Sequence, residues 1–166
     1  MTQPRIIDTA LLDAVGAEAR TSPRRRRNRN FHPDDHAVCQ RLLNAVEPDS
    51  YIPPHRHNDP AKSESIIVLR GRLGAVFFDD RGAVTDRVVL EPGGAVVGIN
   101  VPAGTFHTVL ALAPGTVFFE AKAGPYLPLA SDEKAPWAPT EGEAGANGYL
   151  EWLRSLVAPT PARDGD

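Results

Sequence analysis

Four residues carry the plainest chemistry in this chain: His55 and His57 in the stretch Tyr51–His57, Glu64, and His107 at the end of Pro102-Ala103-Gly104-Thr105-Phe106-His107. Side chains alternate along an extended strand, so His55 and His57 point to one face. Glu64 opens an apolar run, Ser65–Leu69, that reads as the next strand. Pairing of those strands would bring three potential ligands together, and His107, behind a Pro-x-Gly turn, is the fourth candidate. Imidazoles and a carboxylate suit one divalent transition metal, Fe, Mn, Ni or Zn, and leave one or two positions open on it. An open position lets a metal polarise an oxygen or generate hydroxide. The blander reading is a satisfied surface pair for His55 and His57 and an exposed strand-opening acid for Glu64.

Glu120 lies in the apolar run Val117-Phe118-Phe119-Glu120-Ala121. Alternation sets Phe118 and Glu120 on one side, Val117 and Phe119 on the other. An acid on an inner face is a candidate catalytic proton donor or acceptor; its alternative is a strand-end acid reaching solvent or an arginine. Arg26, Asn28, Asn30 and His32 alternate as an extended polar rail and are candidate ligand-binding residues, with Tyr126 closing the pocket through its hydroxyl. Surface decoration and packing are the plainer readings of these five. Residues 20–29 hold six arginines and no acid, in a chain whose net charge is −3. Beside a pocket, such arginines grip phosphate or carboxylate in forked pairs. A nucleic-acid partner is not expected, since the run is short, the remainder is acidic and only Phe31 interleaves with it.

The elements that position these residues are short. Gly and Pro number 14 and 16 of 166 residues, too many for a helical bundle and natural for a β fold of tight turns. Residues 8–20 read as a helix capped by Asp8 or Thr9, with Leu11, Leu12, Val15 and Ala19 as its apolar stripe. Residues 21–36, with Pro23 and Pro33, read as an arm without regular structure. Residues 37–46 fit either a helix or a strand, and hairpin logic favours the strand. Strands follow at 51–57, 66–69, 73–78, 85–90, 95–101, 107–112 and 116–121, cut by turn residues, which describes an antiparallel sandwich or barrel. A strap at 122–146 anchored by Tyr126 and Trp137 precedes a helix at 148–157, capped by Asn147 and striped by Tyr149, Leu150, Leu153, Leu156 and Val157. The resulting division is an N-terminal helix and arm at 1–36, a barrel at 37–121, a strap and helix at 122–157, and a disordered tail at 158–166. The single Cys39 fits a reducing cytoplasm, and no apolar run is long enough for a membrane span.

The two histidine motifs resemble those of the cupin superfamily. His55-x-His57 with Glu64 and Gly71 matches the first motif, with a longer gap before Glu64 and Asp49 in place of the opening Gly. Pro102-x-Gly104 and His107 match the second, with Gly94 two residues too far upstream and Ala111 where the pattern has Asn. The resemblance implies an all-β fold, the cupin double-stranded β-helix or antiparallel jelly roll, with short N- and C-terminal helices. The order RRRxNxNFH, QRLLNA, SYIxPHRH, VPAGTFHTV, GPY and WAP is similar to the WbuC-type cupin-fold metalloproteins, over roughly residues 5–155. That similarity implies one bound divalent metal and a bacterial surface-polysaccharide (O-antigen) setting, and the cupin resemblance implies a homodimer by default.

A metal as Lewis acid on a small sugar-like or anionic ligand, with Glu120 moving the proton, would make an isomerase or epimerase. An Fe(II)-dependent dioxygenase would use the same ligands and consume oxygen. A non-catalytic module would hold the sugar without turnover, and a structural site would unfold on chelation. Fold alone does not choose among these.

Overall fold

The chain runs α1 (Thr9–Thr21), β1 (Arg26–Asn30), β2 (Cys39–Val46), β3 (Glu64–Arg70), β4 (Leu73–Phe78), β5 (Val84–Leu90), β6 (Gly98–Val101), β7 (Phe106–Ala111), β8 (Thr116–Ala123) and α2 (Ala146–Val157). The computed structural model describes residues 3–158. The expected tail at 158–166 therefore lies, apart from Ala158, outside the described residues.

Every ladder is antiparallel. A five-stranded sheet has the order β1-β2-β8-β3-β6, and a three-stranded sheet the order β5-β4-β7. The 51–57 segment flanks β7 and is joined to it at His55, where His55 N–H donates to His107 O at 3.0 Å and His107 N–H to His55 O at 2.9 Å. Counting that segment, the chain from β2 to β8 crosses between the sheets at every connection except β4 to β5, as in a jelly roll. This is the all-β double-stranded β-helix with short terminal helices that the histidine motifs implied.

The period-2 pattern explains the layers. On β2 and β8, Val46 and Phe118 face inward, where they meet Ile66 and Val68 of β3 and Leu73, Ala75, Leu90 and Val109 of the other sheet. The alternate residues Leu43, Ala45 and Val117 face outward and are covered by Leu12, Val15 and Ala19 of α1. Asp8 caps α1 by accepting from Leu11 N–H at 2.9 Å, as its position predicts. On the opposite side α2 lays Leu150, Leu153 and Val157 on Val76, Phe78 and Leu110. The molecule is thus helix, sheet, sheet, helix, with the inter-sheet space apolar at one end and polar at the other.

Four details depart from the expected elements. Arg26–Asn30, expected within an irregular arm, is a strand paired along its length with β2. Its inward positions line a polar space, so no apolar alternation marks it. The 51–57 segment, expected as a strand, makes isolated bridges at His55 to His107 and to Lys134. Pro53 and Pro54 carry no N–H and cannot extend a ladder. The last helix begins at Ala146 behind Gly145, whose φ of 98° only glycine adopts easily, so Asn147 lies inside the helix rather than capping it. Tyr126, expected to anchor the strap, is 53% exposed, while Trp137 packs on Phe78.

Candidate metal centre

Strand register explains why the histidines and Glu64 meet. His55 and His107 are direct antiparallel partners, so both imidazoles leave the sheet on one face, with ring centroids 4.8 Å apart. The His55 segment is held on its other side by the strap, where Arg56 N–H donates to Glu133 O at 2.9 Å and Ala135 N–H to Pro54 O at 3.2 Å. Gly104 (φ 82°) closes the turn before β7 and donates its N–H to His57 O at 2.7 Å, which ties the His57 backbone to the turn that aims His107. Glu64 comes from the facing sheet, buried and directly opposite Lys122 in the β3–β8 ladder. The longer gap after His57 leaves Glu64 facing inward.

The ligand atoms of His55, His57 and Glu64 lie within 4.8 Å of one another and could hold a metal ion. His57 Nε2 is 2.5 Å from Glu64 Oε1, and His107 Nε2 is 3.4 Å from Glu64 Oε2. His107 therefore borders the tighter group of three. His55 Nδ1 lies 3.0 Å from Pro53 O and His107 Nδ1 2.9 Å from Thr105 O. A carbonyl only accepts, so each Nδ1 carries a proton, and each Nε2 is the nitrogen left to face the inter-sheet space. Backbone anchoring of the distal nitrogen is the orientation that metal-binding histidines use. On this observation the residues fit a divalent transition metal.

Burial, reinforced by the nearby His107, pushes the His55 imidazole down to about 3, so it is neutral at physiological pH. Burial would raise the Glu64 carboxyl, but hydrogen bonds from His107 and His57 and the Lys122 charge outweigh it and hold the group below the usual carboxylate range. Burial works against the Lys122 ammonium, and the Glu120 and Glu64 charges reverse this and raise it. Lys122 Nζ is 2.9 Å from Glu64 Oε1 and 2.9 Å from Glu120 Oε1. Asn44 Nδ2 donates to Glu120 Oε2 at 2.9 Å. Glu120 is thus held on the inner face, one ion pair away from the histidine cluster.

These groups border a cavity of about 480 Å³, whose walls include His55, Glu64, His107, Glu120 and Lys122. Arg26 and Asn28 also face it. Asn30, His32 and Tyr126 border an adjoining space of about 260 Å³ that shares Asn28, Asn44 and Glu120 with the first. His32 is pinned to β2, where Arg41 N–H donates to its Nδ1 at 3.0 Å. Lys122 and Asn44 were not among the candidates read from sequence. A strand reading that ended at Ala121 cut off Lys122, although it shares the inner face with Glu120. Asn44 alternates with Leu42 and Val46 and passes for a neutral strand residue.

Comparison with known proteins adds the family. No curated protein matches the chain by sequence. Among solved structures, KdgF from Halomonas sp. is 15% identical over 62% of this chain and 82% of that chain, with TM-score 0.48. The oxalate decarboxylase of Lactobacillus farciminis, in complex with formate, is 18% identical over 61% of this chain and 29% of that chain, with TM-score 0.46. Procruciferin, an 11S globulin of Brassica napus, is 14% identical over 53% of this chain and 21% of that chain, with TM-score 0.44. The chain thus spans under a third of the last two. A family model described as a domain of unknown function (DUF6016) matches residues 7–90, from α1 through the first histidine motif to the end of β5, and the chain belongs to that family.

Proposed function

We propose that this chain binds one divalent transition metal through His55, His57, Glu64 and His107 and acts on a small polar, sugar-like ligand in the adjoining cavity, as an isomerase or epimerase. The observation that carries this reading is the convergence of His55, His57 and Glu64, with ligand atoms within 4.8 Å of one another, beside a cavity that also exposes Glu120. A divalent ion there supplies a Lewis acid for a ligand oxygen. Glu120 takes a proton from the carbon next to a carbonyl and returns it to a neighbouring carbon or to the opposite face. Asn44 fixes the direction of its carboxylate. Asn28, Asn30 and Tyr126 supply hydrogen-bonding groups for hydroxyls along the cavity wall. The bacterial, surface-polysaccharide setting rests on the resemblance to WbuC-type sequences, a homodimeric state on the resemblance to cupins, and a cytoplasmic location on the single Cys39. Among the described residues, no helix is long and apolar enough to cross a membrane.

Elemental analysis of protein purified without added metal, beside a His55→Ala/His107→Ala variant, tests the site. About one Fe, Mn, Ni or Zn per chain, lost in the variant, is expected. A metal-free wild type, under conditions that rule out stripping, overturns the reading. Iron directs the next assay to oxygen uptake; the other metals direct it to deuterium exchange into candidate sugars, which Glu120→Gln abolishes. A second reading, a metal-assisted sugar-binding module without turnover, is favoured by Lys122 and Asn44 occupying both oxygens of Glu120. Ligand retention with no exchange selects it.

A further inference from the structure

At the cavity mouth one carboxylate from a distant part of the chain satisfies two arginines. Arg24 donates to Glu141 through Nε at 2.9 Å and Nη2 at 2.6 Å, and Arg26 Nη2 donates to the same carboxylate at 2.7 Å. Both arginines line the cavity, and both, with Glu141, line a contiguous space that reaches His55. The fork of Arg24 with a second guanidinium at its side is the geometry that recognises a planar or tetrahedral oxyanion.

The two arginines differ in freedom. Arg26 has a side chain only 13% exposed, and its Nη1 is fixed by Ser50 Oγ and Tyr51 O, each at 3.1 Å. Arg24 is 64% exposed and Glu141 34% exposed, so either can swing out. The strap does not depend on this pair alone, because Tyr51 Oη donates to Pro139 O at 2.8 Å two residues away. Elsewhere in the arm, Arg25 pairs with Asp49, and Arg27 and Arg29 with Glu18. Glu18 and Glu141 are thus each shared by two guanidiniums, and only Glu141 has both of its arginines on the cavity.

The charge of the cavity points the same way. Arg24, Arg26, Arg27 and Lys122 face it against Glu64 and Glu120, an excess of positive charge in a chain whose net charge is −3. Such a field concentrates anions in the cleft.

We infer that Arg24 and Arg26 form an oxyanion subsite for the carboxylate or phosphate group of the ligand, and that Glu141 is a built-in competitor occupying it until the ligand arrives. The inference rests on the reading above only in placing the ligand in this cavity; it does not need the metal. An anionic end on Arg26 leaves the polyhydroxylated remainder against Asn28, Asn44 and Glu120. Displaced Glu141 swings its side chain out of the mouth, while the Tyr51–Pro139 bond keeps the strap in place.

Calorimetric titration of the full chain with inorganic phosphate, glucuronate and neutral glucose tests this, in chelator-treated and in metal-loaded protein. Glu141→Gln removes the competitor and is expected to bind phosphate and glucuronate about tenfold more tightly than wild type, and Arg24→Gln about tenfold more weakly. Glucose binding is expected to be the same in all three. Thermal melts control for folding: phosphate or glucuronate should raise the Tm of Glu141→Gln more than that of wild type. Preference for glucuronate assigns the carboxylate to the clasp, and preference for phosphate assigns the phosphate; either supports it. Equal anion affinity in wild type and Glu141→Gln, or undiminished affinity in Arg24→Gln, overturns the clasp and makes Glu141 a strap anchor. Protein that is purified free of metal without stripping, and whose Glu141→Gln variant still binds the anions more tightly, refutes the metal site alone, and a metal-loaded protein without the effect refutes the clasp alone.

Discussion

Lys122 holds the site together, because it is the only cation between Glu64 and Glu120 in the structure described here, 2.9 Å from each. Replacing one partner of a buried ion pair leaves an uncompensated charge, which costs about 3–5 kcal/mol. Lys122→Met is therefore expected to lower the stability of chelator-treated protein by about that amount in urea denaturation. Adding Glu120→Gln should recover part of it, because one of the two stranded carboxylates is then neutral. No recovery would mean that Lys122 acts through packing of its alkyl stem. His55 makes a separate prediction. Folded, it takes up a proton only near pH 3, against 6.5 for the ordinary imidazole. Between those values the unfolded chain binds more protons than the folded one, so stability is full above 6.5 and declines as the pH falls through that window. Glu64, held below the usual range, adds to the loss at lower pH still. The urea midpoint of chelator-treated protein should fall between pH 8 and pH 5 with unchanged m, and fall less in His55→Gln. Identical midpoints would mean that His55 is not buried neutral.

At the scale of elements, turns set the site as much as strands do. Gly71 (φ 77°) joins β3 to β4, and a Cβ there would lie 2.4 Å from Thr116 Oγ1 and 2.8 Å from Thr116 Cα. Gly104 (φ 82°) has nothing within 4 Å of its Cβ position. Alanine at Gly104 therefore pays only for the left-handed backbone, about 1–2 kcal/mol, while at Gly71 a collision with backbone adds about 1–3 kcal/mol. Urea midpoints of the two variants check the order; equal costs would show that the β8 start yields to accommodate Gly71→Ala. The same scale explains what could be read from sequence. The runs that became β3, β4, β5, β7 and β8 pack on apolar clusters, β4, β7 and β8 on both faces, and were visible as short apolar stretches cut by turn residues. The His55, His57, Glu64 and His107 positions followed from motif spacing. β1 was hidden because its inward residues, Arg26, Asn28 and Asn30, face polar cavities, and what makes it a strand is its register with β2. The 51–57 segment looked like a strand because its side-chain alternation survives where Pro53 and Pro54 interrupt its hydrogen bonds. Lys122 was lost to a strand end set one residue short of it, while Glu141 was beyond reach because its partner Arg24 is 117 residues away in sequence.

Over the whole molecule, three apolar clusters carry the fold, and the candidate metal centre adjoins the one between the sheets, whose Val46, Ile66, Val109 and Phe118 line the same cavity. The three buried clusters, beneath α1, beneath α2 and between the sheets, contain none of His55, His57, Glu64 or His107. The polar end of the inter-sheet space is also tied by backbone, through the His55–His107 pair and the strap bonds to Pro54 and Arg56. A metal bound there adds stability by mass action without being the nucleus of the fold. At a free metal concentration a hundredfold above Kd this linkage amounts to about 2.7 kcal/mol, or roughly 5–11 °C in Tm for a chain of this size. Chelation is therefore expected to lower Tm by that order while far-UV circular dichroism and a cooperative melt persist, and readdition of metal should restore it. A small zinc-dependent fold behaves differently, since its binding energy is its folding energy and chelation unfolds it. Loss of cooperative melting on chelation would transfer this site from the working metals to the structural ones, because the sandwich would then depend on the ion rather than on its three cores. Persistence of the fold with a lowered Tm leaves the ion free to exchange and to meet a ligand, which the cavity beside His55 and Glu64 requires of it.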